Sequence, residues 1–191
     1  QQLGIQSTTL TISKFNHHCP EAYCLKVKPS GISLRANEAV GIFRGLNTLL
    51  QILHSPSCKE FIPCLEIEDS PILKKRGFML DLSRCKVPTM NSLFELIDLL
   101  ASLHYNGFQL YVEHTFAFTN HDTVWKDSSP LTGEEVRIID KYCTDRFIEL
   151  IPNLNSFGHF ERWLRHDTYR HLAECPDGFC RETPYMHRDH G

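Results

Sequence analysis

Residues 76–84 read RGFMLDLSR, and this stretch opens the pattern that decides the fold class. Within it, residues 77–82 form a nearly continuous apolar run, which is typical of a strand in a buried parallel sheet. A helical pattern follows over residues 91–104, and a second apolar strand follows over residues 108–112. Strand, helix and strand in that order predict a parallel βαβ unit.

The same order continues with a helix over residues 133–146 and a third strand over residues 147–152. The helices' predicted apolar positions are Leu93, Leu96, Ile97, Leu100 and Leu103 in the first and Val136, Ile138, Ile139 and Cys143 in the second. Doubly wound sheets and (β/α)₈ barrels both begin in this way. No G-x-G-x-x-G motif follows the first strand, so a nucleotide-binding fold has no support. A complete barrel takes about 250 residues, so this chain cannot hold one.

Upstream of this pattern the chain reads as a small α+β domain. The predicted elements are a strand over 8–15, a hairpin of 22–28 and 32–35, a helix from 36 to about 54, and a strand over 62–67. The apolar face predicted for that helix carries Val40, Phe43, Leu46, Leu49, Leu50 and Leu53. Asp69-Ser70-Pro71 predicts a domain boundary. The expected architecture is α/β: a small α+β domain at 1–70, then the first three or so βα units of an incomplete (β/α)₈ TIM barrel at 71–191.

Composition excludes several classes of protein. The chain has 191 residues, 41% of them hydrophobic, and a formal net charge of −3. A disordered chain would be less apolar, and a nucleic-acid-binding protein would usually be basic. No apolar run is long enough to span a bilayer. We therefore expect neither nucleic acid nor membrane as a partner. Separately, no cofactor or metal is expected, and the oligomeric state is left open.

The eight cysteines are irregularly spaced and include no C-x-x-C motif. Cys143 and Cys64 fall in or beside predicted elements and are expected to be small core residues. This usage favours a reducing compartment, with a local disulfide between Cys175 and Cys180 as the alternative. Because a removed signal peptide would leave no trace, a lysosomal or secreted location stays open.

Each predicted strand ends in polar residues that suit sugar chemistry. The candidates are Asp81 and Arg84 after the first strand, Glu113 and His114 after the second, and Asn155, His159 and Glu161 after the third. In α/β barrels the active site is built at these strand ends. Arg can hold two adjacent hydroxyls with its planar fork of donors, and a Glu–His contact can orient an imidazole. The alternative interpretation is that strand ends meet solvent and simply tolerate charge.

Aromatic side chains surround these positions. They are Phe116, Phe118, Phe157, Phe160 and Trp163. Their flat apolar faces could contact a pyranose ring, and core packing is the alternative, which is favoured for Phe157 and Trp163.

Four segments, in order, resemble family 20 glycoside hydrolases. Residues 76–84 resemble the R-G-x-x-L-D-x-S-R opening strand of that family, and residues 41–51 resemble the G-x-F-x-G-x-x-T-L-x-Q segment of its small domain. Residues 67–71 are similar to its I-x-D-x-P interdomain link. Ile151-Pro152, followed by residues 157–159, is similar to its third-strand motif ending in P-G-H.

This resemblance implies a β-N-acetylhexosaminidase that removes terminal β-linked N-acetylhexosamine from glycans or glycoconjugates. Arg84 would bind hydroxyls of the terminal sugar, and Glu113 and His159 would form a supporting relay to the acid. Asp81, His114, Asn155 and Glu161 are further substrate-binding candidates. In this family the acetamido group of the substrate is the nucleophile. An adjacent Asp-Glu pair after the fourth strand orients that group and protonates the leaving oxygen.

The chain departs from the usual family pattern in two motifs. Glu113-His114-Thr115-Phe116 stands where a T-D-D-x-x-W motif is usual, and Asn153, Asn155 and Phe157 replace two acids and a proline of the third-strand motif. This combination resembles the divergent, hexosaminidase D-type branch. That branch is typically nucleocytoplasmic, so a cytoplasmic or nucleocytoplasmic location is favoured.

The chain contains no Asp-Glu dipeptide. We therefore expect it to be the N-terminal part of an enzyme, without the pair that cleaves the bond and inactive alone. One alternative is a non-catalytic carbohydrate-binding or scaffold protein on a hydrolase-like fold. Another is a hydrolase of the O-GlcNAc-removing type, whose adjacent Asp-Asp pair is also absent. In the tail, Cys175, Cys180, His187 and His190 could ligate a metal, but a loop is the favoured interpretation.

Overall fold

The structure is a computed structural model that describes residues 2–4, 9–58, 61–84 and 86–177. These residues form two compact units. The first contains the described residues up to Gly77 together with Ile97–Asn106 and Asp145–Ile148. The second contains the described parts of Phe78–Leu96, Gly107–Thr144 and the chain from Glu149 onward. The boundary between residues 70 and 71 that the sequence suggests stays a prediction.

The first unit is built on a four-stranded sheet in the order β2-β4-β3-β6. Its elements are β1 (Gln2–Gly4), β2 (Leu10–Lys14), β3 (Tyr23–Lys28), β4 (Gly31–Ala36), α1 (Ala39–Leu53), a 3₁₀ turn (Pro56–Cys58), β5 (Phe61–Pro63) and β6 (Leu65–Asp69). β3 and β4 form the predicted antiparallel hairpin, and β2 runs parallel to β4. β1 and β5 form a separate antiparallel pair.

Two glycines let α1 lie close to this sheet. A Cβ at Gly41 would lie 2.5 Å from the carbonyl oxygen of Ala22, and one at Gly45 would collide with the Leu34 side chain. The helix therefore buries Gly41, Arg44, Gly45 and Leu49. Around Leu49, the core contains Tyr23, Leu25, Val27, Ile32, Leu34, Ala36 and Ile62.

A buried ionic network also lies in the first unit. The Arg44 guanidinium, 2% exposed, donates from Nε to Glu21 Oε2 over 2.9 Å, and Arg76 pairs with the same carboxylate. Burial works to raise the Glu21 pKa, but the hydrogen bonds and charges of Arg76 and Arg44 lower it overall. Arg76, which opens the quoted RGFMLDLSR stretch, also donates from Nε to the His104 carbonyl over 2.7 Å. Arg76 thus has a structural role in this unit.

Three expectations for the first unit need correction. Leu50 is 49% exposed and does not belong to the buried face, which is carried by Leu49 one residue earlier. The single strand predicted over 62–67 is two strands, β5 and β6, which pair with β1 and β3 respectively. Cys64 lies between those two strands and is only half-buried, so it is not a core residue.

The second unit carries a three-stranded sheet in the order β7-β8-β9. The elements from Gly77 onward are β7 (Gly77–Asp81), α2 (Met90–Ser102), β8 (Gly107–Val112), α3 (Asp122–Trp125), α4 (Gly133–Thr144), β9 (Glu149–Leu154), α5 (Glu161–Leu164) and α6 (Asp167–Arg170). β8 and β9 are parallel, with Gly107 opposite Glu149 and Val112 opposite Leu154. The predicted βαβ unit formed by β8, α4 and β9 is confirmed.

Local sequence explains where α4 begins. The Thr132 hydroxyl accepts the Glu135 N–H over 3.2 Å, and the Glu135 carboxylate accepts the Thr132 N–H over 2.7 Å. This reciprocal capping box satisfies two backbone donors that the first turn of a helix leaves unpaired. Cys143 near the other end of α4 is buried, as predicted.

Three further apolar positions differ from the prediction. Leu103 lies beyond the end of α2 and is 55% exposed, and Ile138 is 47% exposed because its neighbour Ile139 faces the core. Phe147 does not start the third strand. It has a φ of 57°, outside the extended region, and β9 begins two residues later. Among the described residues, no helix has the length and apolar character needed to cross a membrane.

Candidate functional site

The candidate site lies in the second unit, where side chains following β7, β8 and β9 meet. Arg84 comes three residues after Asp81, the last residue of β7, and Glu113 directly follows β8. His159 lies in the loop between β9 and α5 and has a φ of 54°. These residues lie near one another because the carboxyl ends of neighbouring parallel strands share one edge of a sheet.

Arg84 is the centre of the cluster. Its Nη1 donates to Asp81 Oδ2 over 2.5 Å, and its Nη2 donates to Glu113 Oε1 over 2.9 Å. The same Nη2 lies 3.4 Å from His159 Nδ1. The Arg84 side chain is 49% exposed, so part of its guanidinium faces solvent and is available to a ligand. One guanidinium therefore joins two carboxylates and an imidazole.

These contacts shift the pKa values of Arg84 and Asp81 in the directions that keep both side chains charged. Hydrogen bonding to Asp81, followed by that to Tyr111, raises the pKa of Arg84. Burial alone would raise the pKa of Asp81, but the Ser83 N–H and the Arg84 guanidinium lower it overall. Arg84 and Asp81 are thus oppositely charged at neutral pH, and the Arg84 fork is held in place by that charge.

Glu113 is the buried carboxylate of the site, with a side chain only 4% exposed. The Tyr111 hydroxyl donates to its Oε1 over 2.7 Å. Its backbone is held on both sides, because its N–H donates to Ser83 Oγ over 2.6 Å and its carbonyl accepts the Trp163 indole N–H over 2.7 Å. His159 Nδ1 lies 3.9 Å from Glu113 Oε1, within ion-pair range when the imidazole is protonated.

Asn155 joins the cluster through Tyr111, since its amide nitrogen donates to the Tyr111 hydroxyl. His114 is buried, and its Nδ1 has no hydrogen-bond partner among the described residues. Burial and then the positive charge of Arg162 lower the pKa of His114. Glu161 begins α5 and takes no part in the hydrogen bonds that Arg84 makes to Asp81 and Glu113. The structure thus groups Asp81, Arg84, Glu113, Asn155 and His159, while the roles of all seven candidates stay predictions.

Aromatic rings pack beside this cluster. Trp163 is buried and stacks on Phe160 with ring centroids 5.2 Å apart, and it meets Phe118 edge-on at 5.4 Å. Core packing, the interpretation favoured for Trp163, agrees with this burial. Phe157, in contrast, is fully exposed, so it does not pack in the core.

Sequence reasoning missed three residues of the cluster: Tyr111, Ser83 and the indole of Trp163 as a backbone donor. A signal for Tyr111 was present, because residues two apart on a strand project from the same face. Tyr111 lies in β8, and Glu113 directly follows that strand, two residues later. Ser83 and Trp163 gave no comparable signal, since their contacts with Glu113 join segments 30 and 50 residues apart.

The described residues contain no group of three or more His, Cys, Asp or Glu placed to hold a metal ion. The tail candidates Cys180, His187 and His190, and the possible partner of Cys175 in a disulfide, lie outside the described residues.

Comparison with known proteins agrees with this architecture. Residues 6–70 match the family described as glycosyl hydrolase family 20, domain 2. The chain is 30% identical over 169 residues to the beta-hexosaminidase of Porphyromonas gingivalis, covering 73% of this chain and 21% of that protein. It is 28% identical over 168 residues to beta-hexosaminidase subunit A1 of Dictyostelium discoideum, covering 82% and 31%.

Among solved structures, the chitobiase of Flavobacterium johnsoniae is similar, with a TM-score of 0.71 and 31% identity over 81% of this chain and 25% of that one. By these sequence matches and by its fold, the chain resembles the family 20 glycoside hydrolases. It spans between about a fifth and a third of the length of the curated relatives described above.

Proposed function

We propose that this chain supplies the sugar-binding side of a family 20 β-N-acetylhexosaminidase, which removes terminal β-linked N-acetylhexosamine with retention. The observation that carries the proposal is the half-exposed Arg84 guanidinium, held by Asp81 and Glu113 at the strand ends. A fixed, permanently charged fork of this kind is suited to two neighbouring hydroxyls of one sugar ring. The relatives named beta-hexosaminidase support the same substrate class.

In this proposal β7, β8 and β9, with their intervening helices, are the first part of a (β/α)₈ barrel that the chain does not complete. Glu113 and His159 form a supporting relay, in which the buried carboxylate orients the imidazole toward the acid. The acetamido group of the substrate is the nucleophile. The Asp-Glu pair that assists that group and protonates the leaving oxygen is not in this chain.

The role of Arg84 is tested in the extended protein, meaning this chain continued to the length of its curated relatives. Arg84→Ala should raise KM and lower kcat/KM for a chromogenic β-N-acetylglucosaminide by roughly 10- to 100-fold, as expected when a hydrogen-bonding charge is removed. Arg35→Ala, which removes an arginine stacked on Phe15 in the first unit, is the matched control. Kinetics equal to those of Arg35→Ala would refute the role of Arg84.

A further inference from the structure

Tyr111 contacts both partners of the Arg84–Glu113 pair, each through a different part of its side chain. Its hydroxyl donates to Glu113 Oε1 over 2.7 Å, and its ring lies beneath the Arg84 guanidinium, with Arg84 Cζ 5.3 Å from the ring centroid. A guanidinium over an aromatic face at this distance is attracted by the ring quadrupole. One side chain thus contacts both the carboxylate and the guanidinium of this ion pair.

The direction of the hydrogen bonds is set by the donors available. An amide nitrogen can only donate, so the Asn155 amide N–H donates a hydrogen bond to the Tyr111 oxygen, and the single phenolic proton is then directed to Glu113. The three groups form a one-way chain of donors that ends on the carboxylate. Glu113 is nearly fully buried, so this hydrogen bond takes the place of a water molecule that an exposed carboxylate would have.

We propose that Tyr111, oriented by Asn155, is a positioning residue that holds Glu113 in the geometry in which it orients His159. This inference rests on the proposed function, because the relay matters only if the sugar is hydrolysed. The ring of Tyr111 has a second effect, which is to support Arg84 from below. Burial first, and then the hydrogen bond to Glu113, raise the pKa of Tyr111, so the phenol keeps the proton that it donates.

Two substitutions separate the hydroxyl from the ring. Tyr111→Phe keeps the ring beneath Arg84 and removes only the donor, so in the extended protein we expect kcat to fall roughly 10- to 100-fold with KM changed less than about twofold. The acidic limb of the kcat/KM profile should move in the same variant. Tyr111→Leu also removes the ring, so KM should rise as well. The control is Tyr23→Phe, which removes a hydroxyl bonded to Thr48 and Asp69 in the first unit.

The direction of this series of hydrogen bonds is tested at Asn155. Asn155→Asp replaces the amide donor by a carboxylate that only accepts, so the phenolic proton is drawn away from Glu113 and kcat should fall about as far as in Tyr111→Phe. Combined with Tyr111→Phe, Asn155→Asp should add little to the loss in kcat, because both changes interrupt the same series of hydrogen bonds. Fully multiplicative losses in kcat would contradict the coupling.

The closing experiment distinguishes failure of the positioning role of Tyr111 from failure of the proposed function. Wild-type hydrolysis with Tyr111→Phe kinetics and pH profile equal to those of Tyr23→Phe overturns the positioning role and leaves the proposed function standing. Lack of wild-type hydrolysis overturns the proposed function and, with it, the role in the reaction. The hydrogen bond is measured separately in the extended protein by ¹³C NMR titration of labelled tyrosine. Glu113→Gln should bring the Tyr111 pKa back toward its usual value, and an unchanged titration refutes the contact.

Discussion

At the scale of single residues, His114 is a buried imidazole placed beside charged neighbours. Its exposure is 7%, and its Nδ1 has no partner among the described residues. Burial and the charge of Arg162 disfavour the protonated form, and the His114 pKa is therefore below the ordinary value of 6.5. Such a histidine binds a proton less readily in the folded protein than in the unfolded chain.

This difference predicts a pH-dependent stability. Around and below pH 6.5 the unfolded chain binds a proton at His114 more readily than the folded chain does, so the free energy of unfolding falls as the pH is lowered through 6.5 toward the lower pKa of the folded state. His114→Gln should flatten that decline. Urea unfolding followed by tryptophan fluorescence measures it, because Trp125 and Trp163 both lie in the second unit.

The matched control for this prediction is His171→Gln, which changes an exposed histidine of the same unit. It should leave the pH dependence as in the wild type. A His114→Gln variant whose unfolding free energy declines with pH as steeply as that of the wild type would contradict the account of the buried imidazole.

Site residues that follow strand ends could be predicted from the sequence, whereas site residues that depend on long-range contacts could not. Arg84, Glu113 and His159 were predicted to meet because each follows a strand or its loop, and the structure groups them. Ser83 and Trp163 were not foreseen, since a hydroxyl acceptor for one backbone N–H and an indole donor for one carbonyl have no sequence signature. Their positions depend on tertiary packing.

At the scale of elements, α1 is held against its sheet by the absence of two side chains. Gly41 and Gly45 lie one helical turn apart, and any Cβ there would meet backbone or the packed Leu34. The predicted apolar face did not include these glycines, because hydrophobic periodicity identifies apolar side chains. A close contact between a helix and a sheet instead requires small side chains. The buried stripe of α1 therefore runs through glycines that carry no hydropathy signal.

Gly45→Ala should accordingly destabilise the first unit by about 1–3 kcal/mol, since the added methyl forces Leu34 and Tyr23 to shift in a packed core. Amide hydrogen exchange over β3, β4 and α1 measures the change in that unit. Gly133→Ala is the control, because a Cβ there meets only ordinary contacts at 3.8 Å or more. Equal exchange rates in the two variants would show that the close approach is unimportant.

At the scale of the whole molecule, the second unit exposes an apolar groove beside β9. The groove has a volume of about 450 Å³ and is lined by mostly apolar side chains that include Leu110, Val112, Val136 and Leu154. Arg84, Glu113 and His159 are not part of that lining. β9 is the last strand of its sheet among the described residues, so its outer edge presents unpaired backbone groups.

We therefore expect the isolated chain to self-associate or to be poorly soluble. Leu154→Lys, which places a charge in the groove at the end of β9, should lower the weight-average mass seen by sedimentation at a given concentration. Leu172→Lys, at an exposed leucine that does not line the groove, is the control. A wild-type chain that sediments as a monodisperse monomer and melts in one sharp transition would contradict this expectation.

We propose that this chain supplies only part of the active site of a family 20 enzyme, and one comparison of hydrolysis tests this most directly. A chromogenic β-N-acetylglucosaminide is incubated with the chain alone and with the extended protein, and release of the aglycone is followed. We predict turnover by the extended protein only, because the chain holds Arg84, Glu113 and His159, which are proposed to bind the sugar and to support the acid, but no Asp-Glu pair. Turnover by the chain alone that survives repurification and disappears in His159→Ala would contradict the account.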